Sequence, residues 1–215
     1  MARPQVIFFD AVGTLFGVRG SVGQVYADLA QRFGVIVDRD RLNTAFFESF
    51  RVAPPMTFPG IAAADIPERE YGWWRAIAAD TFQRVGALHQ FADFEAFFAA
   101  LYTHFATADP WFVYEDTLPT LQHWRDRGVE LGIISNFDTR LHDVLPELQL
   151  SNFFKSVTIS TEAGAAKPDP QIFAVALEKH HCPPEAAWHV GDSRREDYQG
   201  AQTAGLRGIW LNRKD

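Results

Sequence analysis

The sequence predicts an α/β protein, a parallel sheet with helices on both faces and one inserted all-helical block. Three observations predict it. Val6-Ile7-Phe8-Phe9 is a short, wholly apolar run that stops at Asp10, as a strand buried on both faces would. From Asp109-Pro110 onward, β-branched runs alternate with helical patterns, as parallel βαβ units require. Between these two parts lie roughly ninety residues with helical periodicity and no strand pattern.

The elements follow in order. After Asp10 the pair Gly13-Thr14 permits a tight turn, and the glycine-punctuated stretch Gly17 to Gly23 reads as a connection. Ser21 is placed to cap a helix through Tyr26, Leu29 and Ala30 that stops at Gly34. A second helix follows Asp38, with Leu42, Phe46, Phe50 and Ala53 one turn apart, and Pro54-Pro55 ends it. A third carries Tyr71, Trp74, Ala78, Phe82 and Val85, and a fourth Phe91, Phe94, Phe98, Leu101 and Phe105. Aromatic residues at helical spacing predict a small packed bundle rather than an open aromatic pocket.

The second part begins with a helix through Leu118, Leu121 and Trp124 to Gly128, then the strand Val129 to Ile134 ending in Ser135-Asn136. A helix from Thr139 through Leu148 leads to a strand at Val157 to Ser160. Lys167-Pro168 precedes a helix from Pro170 to about His180, proline being a favoured helix starter. The strand Ala187 to Val190, the turn Gly191-Asp192-Ser193, a helix to Gly205 and the strand Gly208 to Leu211 complete the chain. The expected division is residues 1–16 with 110–215 as the core and 17–109 as a helical cap.

Composition excludes several classes. The formal charge of −7 leaves no basic surface for nucleic acid or an anionic membrane. No run approaches the ~20 apolar residues that span a bilayer, and the apolar run after Arg3 is too short for a signal peptide. The single cysteine, Cys182, rules out an internal disulfide and fits a reducing cytoplasm. The four lysines all lie at or after Lys155, so the helical block has none.

Five candidate site residues fall in four strand-end or turn segments: Asp10, Ser135, Lys167, and Asp192 with Asp197. In open α/β sheets, ligands bind beyond the carboxyl ends of strands. Each position alone has a plain alternative. Asp10, Ser135 and Asp192 read equally as caps, and Lys167 as a solvated charge. Their joint occurrence in this order is harder to explain that way.

Asp10-Ala11-Val12-Gly13-Thr14, Ser135-Asn136, Lys167-Pro168 and Gly191-Asp192 through Asp197 resemble the four motifs of the haloacid dehalogenase superfamily. The resemblance spans the chain and implies a Rossmann-like three-layer parallel-sheet core with a helical C1-type cap inserted after the first motif. The phrases S-N-F-D-T-R-L, A-A-K-P-D-P-Q-I-F and H-V-G-D-S-R-R-E-D-Y-Q-G-A look closest to one subgroup of animals, plants and cyanobacteria.

The resemblance implies a phosphatase-like hydrolase acting on a small phosphorylated molecule. Asp10 would attack phosphorus to give an aspartyl-phosphate. Mg²⁺ would be held by Asp10, Asp192 and the carbonyl of Val12, with Asp197 binding through water or orienting a ligand. Lys167 would neutralise charge shared by Asp10 and the phosphate. Ser135 and the N–H groups around Ala11 and Val12 would cradle the phosphate. Asn136 belongs to the same phosphate loop, where it and Thr14 chiefly shape the backbone.

One departure stands out. Phosphatases of the family carry a second Asp two residues after the nucleophile as general acid and base, and this chain has Val12 there. A non-catalytic regulatory protein that binds metal and phosphate is the alternative this substitution supports. A 2-haloacid dehalogenase is a weaker one, because Asp192 and Asp197 beside Asp10 would repel a carboxylate substrate. The phosphonatase pattern is set aside, since it needs a cap lysine. Substrate selection is expected from cap loops at Val18-Arg19-Gly20 or Pro54 to Gly60, with hinges at Gly17 to Gly23 and Asp109-Pro110.

Overall fold

A computed structural model describes residues 3–213. Five parallel strands form the sheet, in the order β5-β4-β1-β6-β7. They are β1 Val6–Phe9, β4 Glu130–Ser135, β5 Ser156–Ile159, β6 Ala187–Gly191 and β7 Arg207–Trp210. Side chains of β1 alternate between two cores. Ile7 and Phe9 join one cluster with Leu131 and Ile133 of β4, while Val6 and Phe8 face the other with Ile172 and Phe173. Both faces are therefore buried, which is why the run shows no polar alternation.

The connectivity creates the crevice. From β1 the main sheet runs to β4 and β5 on one side, then crosses back to β6 and β7 on the other. β1 pairs with both β4 and β6, so the order reverses at its carboxyl end, where open sheets hold ligands. The flanking helices are α5 Thr117–Arg125, α6 Leu141–Glu147, α7 Ser160–Ala163, α8 Pro170–Lys179 and α9 Gly200–Thr203.

Four helices are inserted between β1 and β4: α1 Val22–Arg32, α2 Arg39–Val52, α3 Ile66–Arg84 and α4 Phe94–His104. Ser21 accepts from Gln24 N–H, making the expected cap, and Asp38 caps the next helix by accepting from Asp40 and Arg41 N–H. The helices bury a cluster of their own, including Tyr26, Leu42, Phe46, Phe82, Phe97 and Phe98. Burying each such phenylalanine contributes roughly 1.5–3 kcal/mol. Most of the aromatics thus pack as a core. Phe47 and Phe50 are exposed, and Phe50, 45% exposed, lies over Trp74 with ring centroids 6.0 Å apart.

Two local expectations change. The connection after Leu15 is not loose, because β2 Phe16–Val18 pairs antiparallel with β3 Trp111–Val113. The two crossings between sheet and inserted helices therefore form one ribbon, with Phe16 packed edge-on against Trp111. A three-residue strand centred on glycine has too short a pattern to read in sequence. The helix after Asp192 is also not uniform. Residues Arg194–Gln199 form a wide π-helical segment that continues into α9. The Asp197 carboxylate, accepting from Lys167 Nζ and the Ser193 N–H, holds this turn, and wide turns of this kind recur at functional sites.

Candidate active site

Asp10 leaves the end of β1 with its N–H donated to the Val190 carbonyl at 2.9 Å. That bond fixes it between the ends of β4 and β6. Its side chain is buried and meets three donors. Lys167 Nζ donates to Oδ1 at 2.7 Å, Ser135 Oγ to the same oxygen at 3.1 Å, and Thr14 Oγ1 to Oδ2 at 3.4 Å.

Lys167 is the hub. Its ammonium also donates to Asp197 Oδ1 at 2.6 Å and to the Ile134 carbonyl at 2.9 Å. All three protons of the ammonium are thus directed. Burial pulls its pKa down, but the Asp10 and Asp197 carboxylates outweigh burial and raise it, so Lys167 stays charged. The Lys167–Pro168 peptide is cis.

Asn136 is bonded within the protein at both ends of its amide. Its Nδ2 donates to the Lys167 carbonyl at 2.9 Å and to Glu196 at 3.4 Å, while its Oδ1 accepts the Lys167 N–H at 2.7 Å. A fully engaged amide holds the Lys167 loop against β4. These bonds suit the backbone-shaping role expected of Asn136.

Asp197 is engaged on both oxygens. Besides Lys167, it accepts His189 Nε2 at 2.9 Å and the Ser193 N–H at 2.9 Å. Burial would raise its pKa, yet Lys167 and the His189 bond hold the carboxyl well below the usual range. Gly191 makes this packing possible, since a Cβ there would stand 2.1 Å from Asp197 Cγ. His189 is a partner that sequence reasoning missed. It reads as one more member of a buried strand, and only the inward alternation of β6 hinted at it.

Asp192 is different. Its carboxylate is part-exposed and is pushed up to about 6 by burial and by the charges of Asp10 and Asp197. Gly13, with φ at +89°, lets the first turn pass beneath it, because a Cβ there would lie 2.6 Å from Oδ2. Asp10, Asp192 and Asp197 can each offer an oxygen within 4.8 Å of the others.

These residues fit a hard divalent cation. Asp192 is short of positive charge. The Val12 carbonyl accepts no described backbone bond of its turn, whereas Ala11 O takes Thr14, Leu15 and Phe16 N–H. Asp10 and Asp192 suit direct ligation, and the engaged Asp197 suits orientation of its neighbours. The N–H groups of Ala11 and Val12 find no acceptor among the described residues, which suits an anion above Asp10.

The buried Asp10–Lys167–Asp197 array gives a stability prediction. Lys167→Met would leave two buried carboxylates facing each other without a cation. Loss of one partner from a buried ion pair costs about 3–5 kcal/mol, and a loss of that size should appear in urea unfolding at neutral pH. A loss below ~1 kcal/mol would mean that the carboxylates are compensated elsewhere.

A parallel sheet whose carboxyl ends gather Asp10, Ser135, Lys167 and a paired-acid turn defines a class of hydrolase. The family model of haloacid dehalogenase-like hydrolases matches residues 4–205, and the chain belongs to that family. Among its relatives is the Haloacid dehalogenase-like hydrolase domain-containing protein 3 of Mus musculus. It is 36% identical over 208 residues, covering 94% of this chain and 79% of the relative. The protein of the same name from Danio rerio is 34% identical over 209 residues, covering 97% and 85%.

Among solved structures, a HAD phosphatase from Thermococcus onnurineus superimposes with a TM-score of 0.62 at 26% identity. The match covers 98% of this chain and 87% of that one. A dehalogenase solved with an intermediate complex gives 0.73 at 17% identity, covering 100% and 88%, a likeness of fold alone. Among the described residues, no helix is long and apolar enough to cross a membrane.

Proposed function

We propose that the protein is a magnesium-dependent phosphohydrolase of small phosphorylated molecules, specialised by the loss of its second acid at Val12. What carries this reading is Asp10, presented at the sheet's carboxyl edge with Lys167 on one oxygen and Asp192 alongside. Asp10 attacks phosphorus in line as the bond to the leaving oxygen breaks, giving an aspartyl-phosphate that water then hydrolyses. Lys167 holds the Asp10 carboxylate ionised and faces the charge that builds on the phosphoryl oxygens. Ser135 donates to a phosphoryl oxygen by turning its hydroxyl from Asp10, and the Ala11 and Val12 N–H groups receive the others. Magnesium, held by Asp10, Asp192 and the Val12 carbonyl, would offset the repulsion between carboxylate and phosphate.

The similarity to a HAD phosphatase at 26% identity supports phosphoryl rather than halide chemistry. The inserted helices, residues 17–109 in this reading, cover the crevice as a cap. A reducing cytoplasm suits the buried free thiol of Cys182. The second reading is a regulatory protein that binds metal and phosphate without turnover. Val12 favours it, because its side chain packs against the apolar cluster of Ala11, Leu15 and Phe16 and supplies no proton.

A screen of phosphorylated metabolites with Mg²⁺ separates the two readings. Turnover of any one of them supports the enzyme, and phosphate binding without turnover supports the regulator. Metal ligation has its own test. Asp192 is part-exposed, so Asp192→Asn should fold and should weaken Mg²⁺ binding by at least the ~10–100-fold that losing an outer partner costs. Equal affinity for wild type and variant in titration calorimetry would remove Asp192 from the metal site.

A further inference from the structure

Two inserted helices make polar contacts with one loop of the core, the turn Phe137 to Arg140 that follows Ser135 and Asn136. Glu70 of α3 accepts the Thr139 N–H at 3.0 Å and its hydroxyl at 2.5 Å. One turn further along α3, Trp74 donates its indole N–H to Asp138 Oδ2 at 2.6 Å. Asp138 also receives Arg140 Nε at 2.8 Å, Nη2 at 2.6 Å and the Arg140 N–H at 3.0 Å. Arg140 then reaches α4, donating to the Tyr102 carbonyl at 3.1 Å with its guanidinium 3.9 Å from the Tyr102 ring. Glu70 and Asp138 are fully buried.

Helices that only shielded the site from water would need apolar contact with the core, which costs no desolvation of charge. Burying a carboxylate is expensive unless donors meet it, and such networks specify one geometry more than they add stability. Here the geometry specified is that of the 135–140 loop. At its near end, Ser135 donates to Asp10 and Asn136 clasps the Lys167 backbone on both sides. A short loop pinned at Asp138 and Thr139 has little freedom left at Ser135 and Asn136. The path from the inserted helices to Asp10 is thus one unbroken series of bonds.

We propose that Glu70 and Trp74 are positioning residues for the phosphate site. By holding the Asp138–Thr139 turn, they set the Ser135 hydroxyl and, through Asn136, the Lys167 loop. The inserted helices then belong to the phosphate-binding machinery rather than forming a separate cover. The proposal rests on the phosphohydrolase reading above.

The test compares two neighbouring tryptophans. Trp74→Phe and Trp73→Phe each delete one indole hydrogen bond, but that of Trp73 goes to the Pro54 carbonyl within the inserted block. Glu70→Ala and Glu70→Gln complete the set, the glutamine keeping an acceptor for the Thr139 N–H. Inhibition by inorganic phosphate, KM and kcat on p-nitrophenyl phosphate, thermal unfolding, and amide exchange across residues 135–141 are measured for each variant.

Trp74→Phe and Glu70→Ala should raise KM and the phosphate inhibition constant ~10-fold and speed exchange in this loop. Glu70→Gln should restore most of the affinity, and Trp73→Phe should change neither. Equal effects of the two tryptophan variants would overturn the proposal. So would phosphate affinities within about twofold of wild type despite lowered melting temperatures. Wild type lacking both turnover and phosphate binding would refute the phosphohydrolase reading instead. Loop exchange in Trp74→Phe would then decide the positioning claim alone, and unchanged exchange would overturn it.

Discussion

Asp10→Asn should lower phosphate-ester turnover by at least about three orders of magnitude while leaving the fold intact. An amide oxygen is a poor nucleophile towards phosphorus, so no aspartyl-phosphate forms. The fold should survive because Lys167 keeps Asp197 as its counter-ion at 2.6 Å and the Ile134 carbonyl at 2.9 Å. The asparagine can still accept from Ser135 and Lys167 through its carbonyl oxygen. Steady-state rates on the best substrate of the metabolite screen, with circular dichroism as the folding control, provide the measurement. A folded Asp10→Asn protein with near-wild-type turnover would mean that the nucleophile lies elsewhere.

Turnover should also depend steeply on the leaving group, because Val12 cannot protonate it. General acid–base help contributes ~10²–10⁴ in rate, or about 3–5 kcal/mol of barrier. A nitrophenolate or a carboxylate leaves readily as an anion, whereas an alkoxide needs a proton as the bond to phosphorus breaks. Aryl and acyl phosphates should therefore turn over slowly, and sugar phosphates hardly at all unless the substrate brings its own donor. Water must also be activated to clear phospho-Asp10, so the phosphoenzyme should accumulate in rapid-quench samples. Val12→Asp should raise alkyl-phosphate turnover by ~10²-fold or more. The substitution places a carboxylate against the apolar cluster that includes Ala11, Leu15 and Phe16, so its folding is checked alongside. Fast wild-type turnover of both p-nitrophenyl phosphate and an alkyl phosphate would show that another residue supplies the proton.

The positions of Asp10, Ser135 and Asp192 were legible because each terminates a strand whose apolar character is itself legible. A buried parallel strand must be apolar throughout, so the first polar residue marks its end, and sheet topology gathers those ends. The helical insertion was legible for a similar reason. Phe82 and Phe98 recur at helical spacing, and the caps at Ser21 and Asp38 are local signals. Phe50 misled because periodicity identifies an apolar stripe but not its width. It lies at the edge of the stripe, half exposed, over Trp74.

By itself the sequence determined the α/β class, the four-helix insertion and which residues end the central strands. All of these depend on side-chain character within a few residues along the chain. Only the tertiary structure decided the partners of those residues. Thr139 meets Glu70 across 69 positions, and Lys167 meets Asp10 across 157. Read in sequence, Glu70, Asp138 and Arg140 look like ordinary charges on helix faces and turns. His189 looks like strand filler. What separates a solvated charge from a buried, bonded one is the burial that folding brings. Burial depends on contacts between distant segments, and the local pattern of side chains does not encode them.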